Sequence, residues 1–143
     1  RNVCGLAEAN STEFDESTPH PIIDIMYDQK NIENMGGTMR LGQYNCAVVP
    51  NTFAHHAYQE VQVKERHRHR YEVNNEIRSV LSNNGLVFSG INPERDLVEI
   101  VEIPEHPWFV GVQFHPELRS TVSHPQALFV DFVGAAKKQA GFE

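Results

Sequence analysis

The chain has only two cysteines, Cys4 and Cys46, so no disulfide framework can hold it together. It has no apolar run of bilayer length; its longest, such as Trp108 to Val112, is the size of a strand. The opening residues, Arg1-Asn2-Val3-Cys4-Gly5, carry no apolar segment of the signal-peptide kind. Nothing points to secretion, so a cytoplasmic location and no membrane partner are expected. Positive charge is in deficit, 12 Lys and Arg against 19 Asp and Glu. The resulting net charge of −7 repels polyanions and sets nucleic acid aside as a partner. Internal repeats and low-complexity linkers are also lacking. What remains is an ordinary globular composition, 40% hydrophobic and 22% charged over 143 residues, enough for one domain.

The punctuation of the sequence predicts mostly strands. Arg1 to Cys4 reads as the last turn of a helix with Gly5 near its C-cap, a tail without a beginning, which suggests a chain cut from a larger protein. Asn10 to Pro21 is a polar loop. Ile22 to Met26 is a short strand and Asp28 to Asn34 an exposed polar stretch. Gly36-Gly37 marks a turn, and Thr38 to Leu41 a short segment before Gly42. Cys46 to Val49 reads as a strand, Val61 to Val73 as one long strand, and Asn75 to Asn84 as a short helix with Ile77, Val80 and Leu81 on one face. Leu86 to Ile91 and Leu97 to Ile103 are further strands. Trp108 to Phe114, almost continuously apolar, predicts a strand buried on both faces. Ser123-His124-Pro125-Gln126 fits a capping box. Leu128, Phe129, Phe132, Val133 and Ala136 then recur at helical spacing. So few helices between so many strands cannot supply the crossovers of a full parallel sheet. The order predicts the antiparallel or mixed edge of an α/β fold with a closing helix.

Four segments hold chemistry-bearing residues. In Gln113-Phe114-His115-Pro116-Glu117, His115 and Glu117 are two apart and share a direction in extended chain. A carboxylate beside an imidazole holds its tautomer and equips it as a base. An edge histidine salt-bridged to its neighbour fits the same five residues. In Glu65 to Asn74, alternation puts Arg66, Arg68 and Arg70 on one face and His67 and His69 on the other. The arginines suit an anion clamp or a charged face paired with acids. The histidines allow a metal site, with His55 and His56 as further donors, but no third ligand has an obvious spacing. Gly36 to Gly42 lacks the Lys-Ser/Thr ending of a P-loop and suits a turn. Glu13, in Asn10-Ser11-Thr12-Glu13-Phe14, sits in a polar loop. Neither cysteine has the strand and small neighbours of a nucleophile elbow.

Taken together, NSTEF, GGTMRLG, ERHRHRYEVN, EIPEHPWFVGVQFHPE and the closing helix resemble, in that order, the C-terminal part of the class-I glutamine amidotransferase domain of the CTP synthase family. The resemblance runs over essentially the whole chain. It implies the C-terminal half of a flavodoxin-like, three-layer α/β domain, here residues 1–143. It also implies that His115 is the general base and Glu117 its orienting partner. Arg70 would hold the α-carboxylate of L-glutamine with help from the Tyr71 backbone, and Glu13 would bind the α-ammonium. The family hydrolyses glutamine with a Cys-His-Glu triad and passes ammonia to a synthetase domain, which aminates UTP with ATP and magnesium. The resemblance thus implies a synthetase domain and a homotetrameric parent as partners, and no cofactor or metal in this chain. The family's Gly-x-Cys-x-Gly elbow has no counterpart here, so the chain alone is expected to be inactive. A non-catalytic module for amino-acid binding or protein interaction is the alternative.

Overall fold

The computed structural model describes residues 1–25 and 39–142. The readings for Met26, for Asp28 to Asn34 and for the Gly36-Gly37-Thr38 turn lie outside the described residues. The described elements, in chain order, are β1 (Asn10–Ser11), β2 (Pro21–Ile25), β3 (Arg40–Val48), α1 (Phe53–Tyr58), β4 (Gln62–His69), β5 (Tyr71–Val73), α2 (Arg78–Asn83), β6 (Val87–Asn92), β7 (Leu97–Glu102), β8 (Val110–Val112) and α3 (Ala127–Gln139). Single 3-10 turns cover Asn75–Ile77 and Pro116–Arg119.

The strands form two sheets. The larger has the order β4-β3-β6-β7-β8, with every pairing antiparallel. The smaller, β1-β2-β5, pairs β1 with β2 in parallel and β2 with β5 antiparallel. The architecture is thus mixed and antiparallel with a closing helix, as the strand-rich order predicts.

β4 shows why its sequence folds this way. Val63, Glu65 and His67 are buried while Lys64, Arg66 and Arg68 are exposed, the period-two pattern of a strand with one wet face. The core against it comprises Cys46, Val48, Ala54, Ile100, Phe114 and Leu128. At Gly90 the β6–β7 ladder is bulged, and a Cβ there would meet the Ile100 side chain and come within 2.8 Å of Cys46 Sγ. Only glycine lets these backbones approach so closely.

Five expectations need correction. The long strand from Val61 to Val73 is two strands in different sheets, because the chain bends at Arg70 and β5 leaves β3 to pair with β2. β3 starts at Arg40 and not near Cys46, since Gly42 takes a left-handed φ of 102° and carries the strand through. Trp108 to Phe114 contributes only three strand residues, at a sheet edge and half-buried. The capping box is not formed: Gln126 is the N-cap and its side-chain oxygen accepts from Leu128 N–H at 2.7 Å. Residues 2–5 form turns, although Gly5 does take a left-handed φ of 65°. The sequence reading also missed α1, whose N-terminal amides, Phe53 and Ala54, donate to the buried Glu102 carboxylate at 2.8 Å each.

Candidate active site

His115 and Glu117 leave the large sheet just beyond β8, where Pro116 starts a 3-10 turn. That turn is fastened to β4 along its length. His115 N–H donates to Arg66 C=O at 2.8 Å, and the Arg119 guanidinium donates to Lys64 C=O. Arg119 also faces the buried Glu65 carboxylate, which accepts from Tyr58 O–H at 2.8 Å and from Gln126 Nε2 at 3.0 Å. So three elements hold the turn in place. The His115 ring then meets Glu117 with Nδ1 2.7 Å from Oε1. That bond keeps the Glu117 carboxyl below the ordinary carboxylate range. Both side chains are exposed, and the contact leaves Nε2 of His115 free of the carboxylate.

Arg70 sits at the bend between β4 and β5, four residues beyond Arg66 and so at most about 14 Å from it. Tyr71 opens β5, and its carbonyl accepts from His69 Nδ1 and from Gln113 Nε2, each at 3.1 Å. Gln113 is two residues before His115, so Tyr71 is tied to the histidine's own segment. Glu13 lies in the turn that follows β1 of the smaller sheet. Its loop hangs on β2, where Thr12 N–H donates to Ile23 C=O at 3.0 Å and Thr12 O–H to Asp24 Oδ1 at 2.8 Å. β2 in turn pairs Ile25 with Tyr71. The fold therefore ties His115, Glu117, Arg70 and Tyr71 to one corner, with Glu13 two strands across the same small sheet. A cavity of about 970 Å³ lies elsewhere, between α1 and α3, and is lined by Phe53, His56, Trp108 and Asp131.

The exposed arginines of β4 stand opposite a buried polar network that sequence reasoning missed. Arg40, 1% exposed, donates to Glu72 Oε1 at 3.1 Å and to Glu99 Oε1 at 2.6 Å. Its guanidinium also lies 4.3 Å from the Tyr44 ring centroid. His67 and His69 hydrogen bond to each other, Nδ1 to Nε2 at 2.8 Å, which is not an arrangement for a shared metal. Among the described residues no group of three or more His, Cys, Asp or Glu is placed to hold a metal ion. Burial lowers His67 to about 3 and His69 to about 4, with the Arg40 charge adding to both. The same burial raises Glu99 to about 7, against the pull of Arg40. Strand alternation could flag His67 as inward-facing, but only the β3, β4 and β7 registers bring Arg40 and Glu99 to it. Cys46 is fully buried and its thiol is pushed up to about 12, chiefly by that burial, so it is no nucleophile.

The model of the family "Glutamine amidotransferase class-I" matches residues 7–135. The chain belongs to the class-I glutamine amidotransferases. Within that family, this amidotransferase chain is similar to CTP synthases. It is 56% identical over 141 residues to the CTP synthase of Moorella thermoacetica, covering 99% of this chain and 26% of the relative. It is 58% identical over 137 residues to that of Chlorobium phaeobacteroides, covering 96% and 24%. The solved glutaminase domain of Trypanosoma brucei CTPS with bound acivicin superposes with a TM-score of 0.87 at 38% identity, covering 96% of this chain and 54% of that one. This amidotransferase chain spans about a quarter of the length of the curated relatives it matches.

Proposed function

We propose that this chain supplies the general-base dyad and the amino-acid pocket for glutamine hydrolysis in a CTP synthase. The carrying observation is the 2.7 Å contact between His115 Nδ1 and Glu117 Oε1. With Nδ1–H donated to the carboxylate, Nε2 is left as a lone-pair acceptor aimed away from it. It can then take the proton of a cysteine thiol as the sulfur attacks the glutamine carboxamide carbon. The imidazolium, stabilised by Glu117, returns that proton to the leaving ammonia, and water releases glutamate from the sulfur. A free amino acid has an α-carboxylate and an α-ammonium, and Arg70 with Glu13 offers one fixed charge for each. Peptide-bound glutamine lacks that pair and is rejected.

Cys46, inert in the core, is not the source of that thiol. Alone, the chain binds the amino acid at most. The ammonia serves the ATP- and magnesium-dependent amination of UTP by a synthetase domain of the same homotetrameric parent. The similarity to CTP synthases supports this reading.

Glutaminase assays on the full-length protein test the proposal. His115→Ala is expected to lower kcat by roughly a thousandfold or more, and Glu117→Gln by a comparable factor. If the full-length protein binds glutamine yet releases no ammonia, the non-catalytic binding module is the correct reading.

A further inference from the structure

The buried polar network has a direction. Its fixed end is the Tyr71 carbonyl, which can only accept, so His69 must carry its proton on Nδ1, 3.1 Å away. A neutral His69 then presents Nε2 as an acceptor, and the atom 2.8 Å from it, His67 Nδ1, must donate. That leaves His67 Nε2 as a bare acceptor in the core. It lies 3.3 Å from Glu99 Oε2, and neither atom has a hydrogen-bond partner elsewhere among the described residues. Two facing acceptors repel, so one proton belongs between them.

The charges around the pair say where that proton sits. Facing Glu99 are Arg40 and the Cys46 thiol from β3, Glu72 from β5, His67 from β4, and Glu94 from the turn before β7, with His69 beside Glu72. Arg40 contacts both buried carboxyls, Glu72 and Glu99, and Arg95 adds a second positive charge acting on Glu72. Glu99 shares its Arg40 contact with Glu72, so an ionised Glu99 would be a buried charge only partly compensated. A cationic His67 would add its charge to that of Arg40, which already acts against it. The proton therefore belongs on Glu99.

Resting on the glutamine-binding reading above, we propose that Glu99, as a neutral carboxylic acid, heads a one-way hydrogen-bond chain through His67 and His69. That chain fixes the Tyr71 carbonyl, and so the Arg70–Tyr71 corner that receives the glutamine head group. Glu99 is a positioning residue, acting through three groups and touching no substrate. Gln113 Nε2, the carbonyl's second donor, ties the same corner to the His115 segment.

The test is glutaminase kinetics on the full-length protein across pH, with Glu99→Leu and Glu99→Gln. The amide of Gln mimics the protonated acid, donating to His67 while accepting from Arg40. Glu99→Leu is expected to raise KM for glutamine by about tenfold with a smaller change in kcat. Glu99→Gln is expected to reverse most of that rise. It should also abolish the increase in KM expected of the original protein as pH passes upward through about 7. A Glu99→Gln variant as impaired as Glu99→Leu, with a pH-independent KM in the original protein, would overturn the proposal. Should either variant fail to fold, histidine nitrogen NMR on the unmodified protein decides. Nδ1–H tautomers at both His67 and His69 support the chain; Nε2–H or a cationic ring at His67 refutes it. Absent ammonia release would sink the glutaminase reading alone, since the tautomers are measured without turnover.

Discussion

At the scale of single residues, the proposed site separates groups for chemistry from groups that would hold charge. Arg70 is the sharpest case. A guanidinium binds a carboxylate through two parallel N–H bonds, and an ammonium cannot reproduce that fork. Arg70→Lys is therefore expected to raise KM for glutamine by roughly tenfold to a hundredfold with little loss in kcat. A kcat effect larger than the KM effect, in steady-state assays, would move Arg70 from binding to chemistry. His115 and Glu117 do meet, but across the start of a 3-10 turn and not along extended chain, so their two-residue spacing brought them together by a local geometry other than the one expected. The sequence could not show Arg40, whose partners Glu72 and Glu99 are 32 and 59 residues away and meet it only through strand register.

At the scale of elements, β4 and β7 carry a pH signature. His67 and His69 fall from the ordinary 6.5 to about 3 and about 4 in the fold, so the unfolded chain binds up to two more protons below pH 6.5. Stability is lost there as pH falls. Glu99 works the other way, its pKa rising from 4.5 to about 7, so the folded chain holds one proton that the unfolded chain releases. Its contribution is lost as pH rises from about 4.5 through about 7, and Glu72, raised by the same burial, acts in its direction. Each uncompensated proton is worth about 1.4 kcal/mol per pH unit. Stability should therefore peak near pH 6.5 and fall on the acid side. Urea titrations at several pH values would show this, and Glu99→Gln should steepen the acid limb. A profile that stays flat below about pH 4.5, where the glutamates add no further pH dependence, would contradict the neutral buried histidines. β6 offers a simpler check. Gly90→Ala forces a methyl against Ile100 and Cys46, and should cost about 1–3 kcal/mol in the same titrations.

At the scale of the whole molecule, the closing helix is the unfinished part. Its apolar stripe was legible in the sequence, but only Leu128 is buried; Phe129 is 39% exposed, Phe132 53% and Val133 55%. A stripe of that kind normally faces a partner. The chain in isolation is thus expected to self-associate, with an apparent mass in light scattering that rises with concentration. A monodisperse monomer that melts cooperatively would refute this. Helical periodicity announces an apolar face but not what covers it, just as apolar content announced Trp108 to Phe114 without revealing its place at a sheet edge. The split of Val61 to Val73 was equally hidden, since nothing in RHRHRYEV marks where one ladder ends and the next begins.

That split has a mechanical corollary. One residue, Arg70, carries the chain from a ladder that anchors the imidazole to a ladder that bears Glu13 and Tyr71. On the proposed reading, the head of the amino acid and its reacting end would be gripped by separate plates joined at one corner. A substitution or partner that tilts one plate against the other would alter how far the carboxamide reaches towards the base, while leaving every side chain in the pocket unchanged.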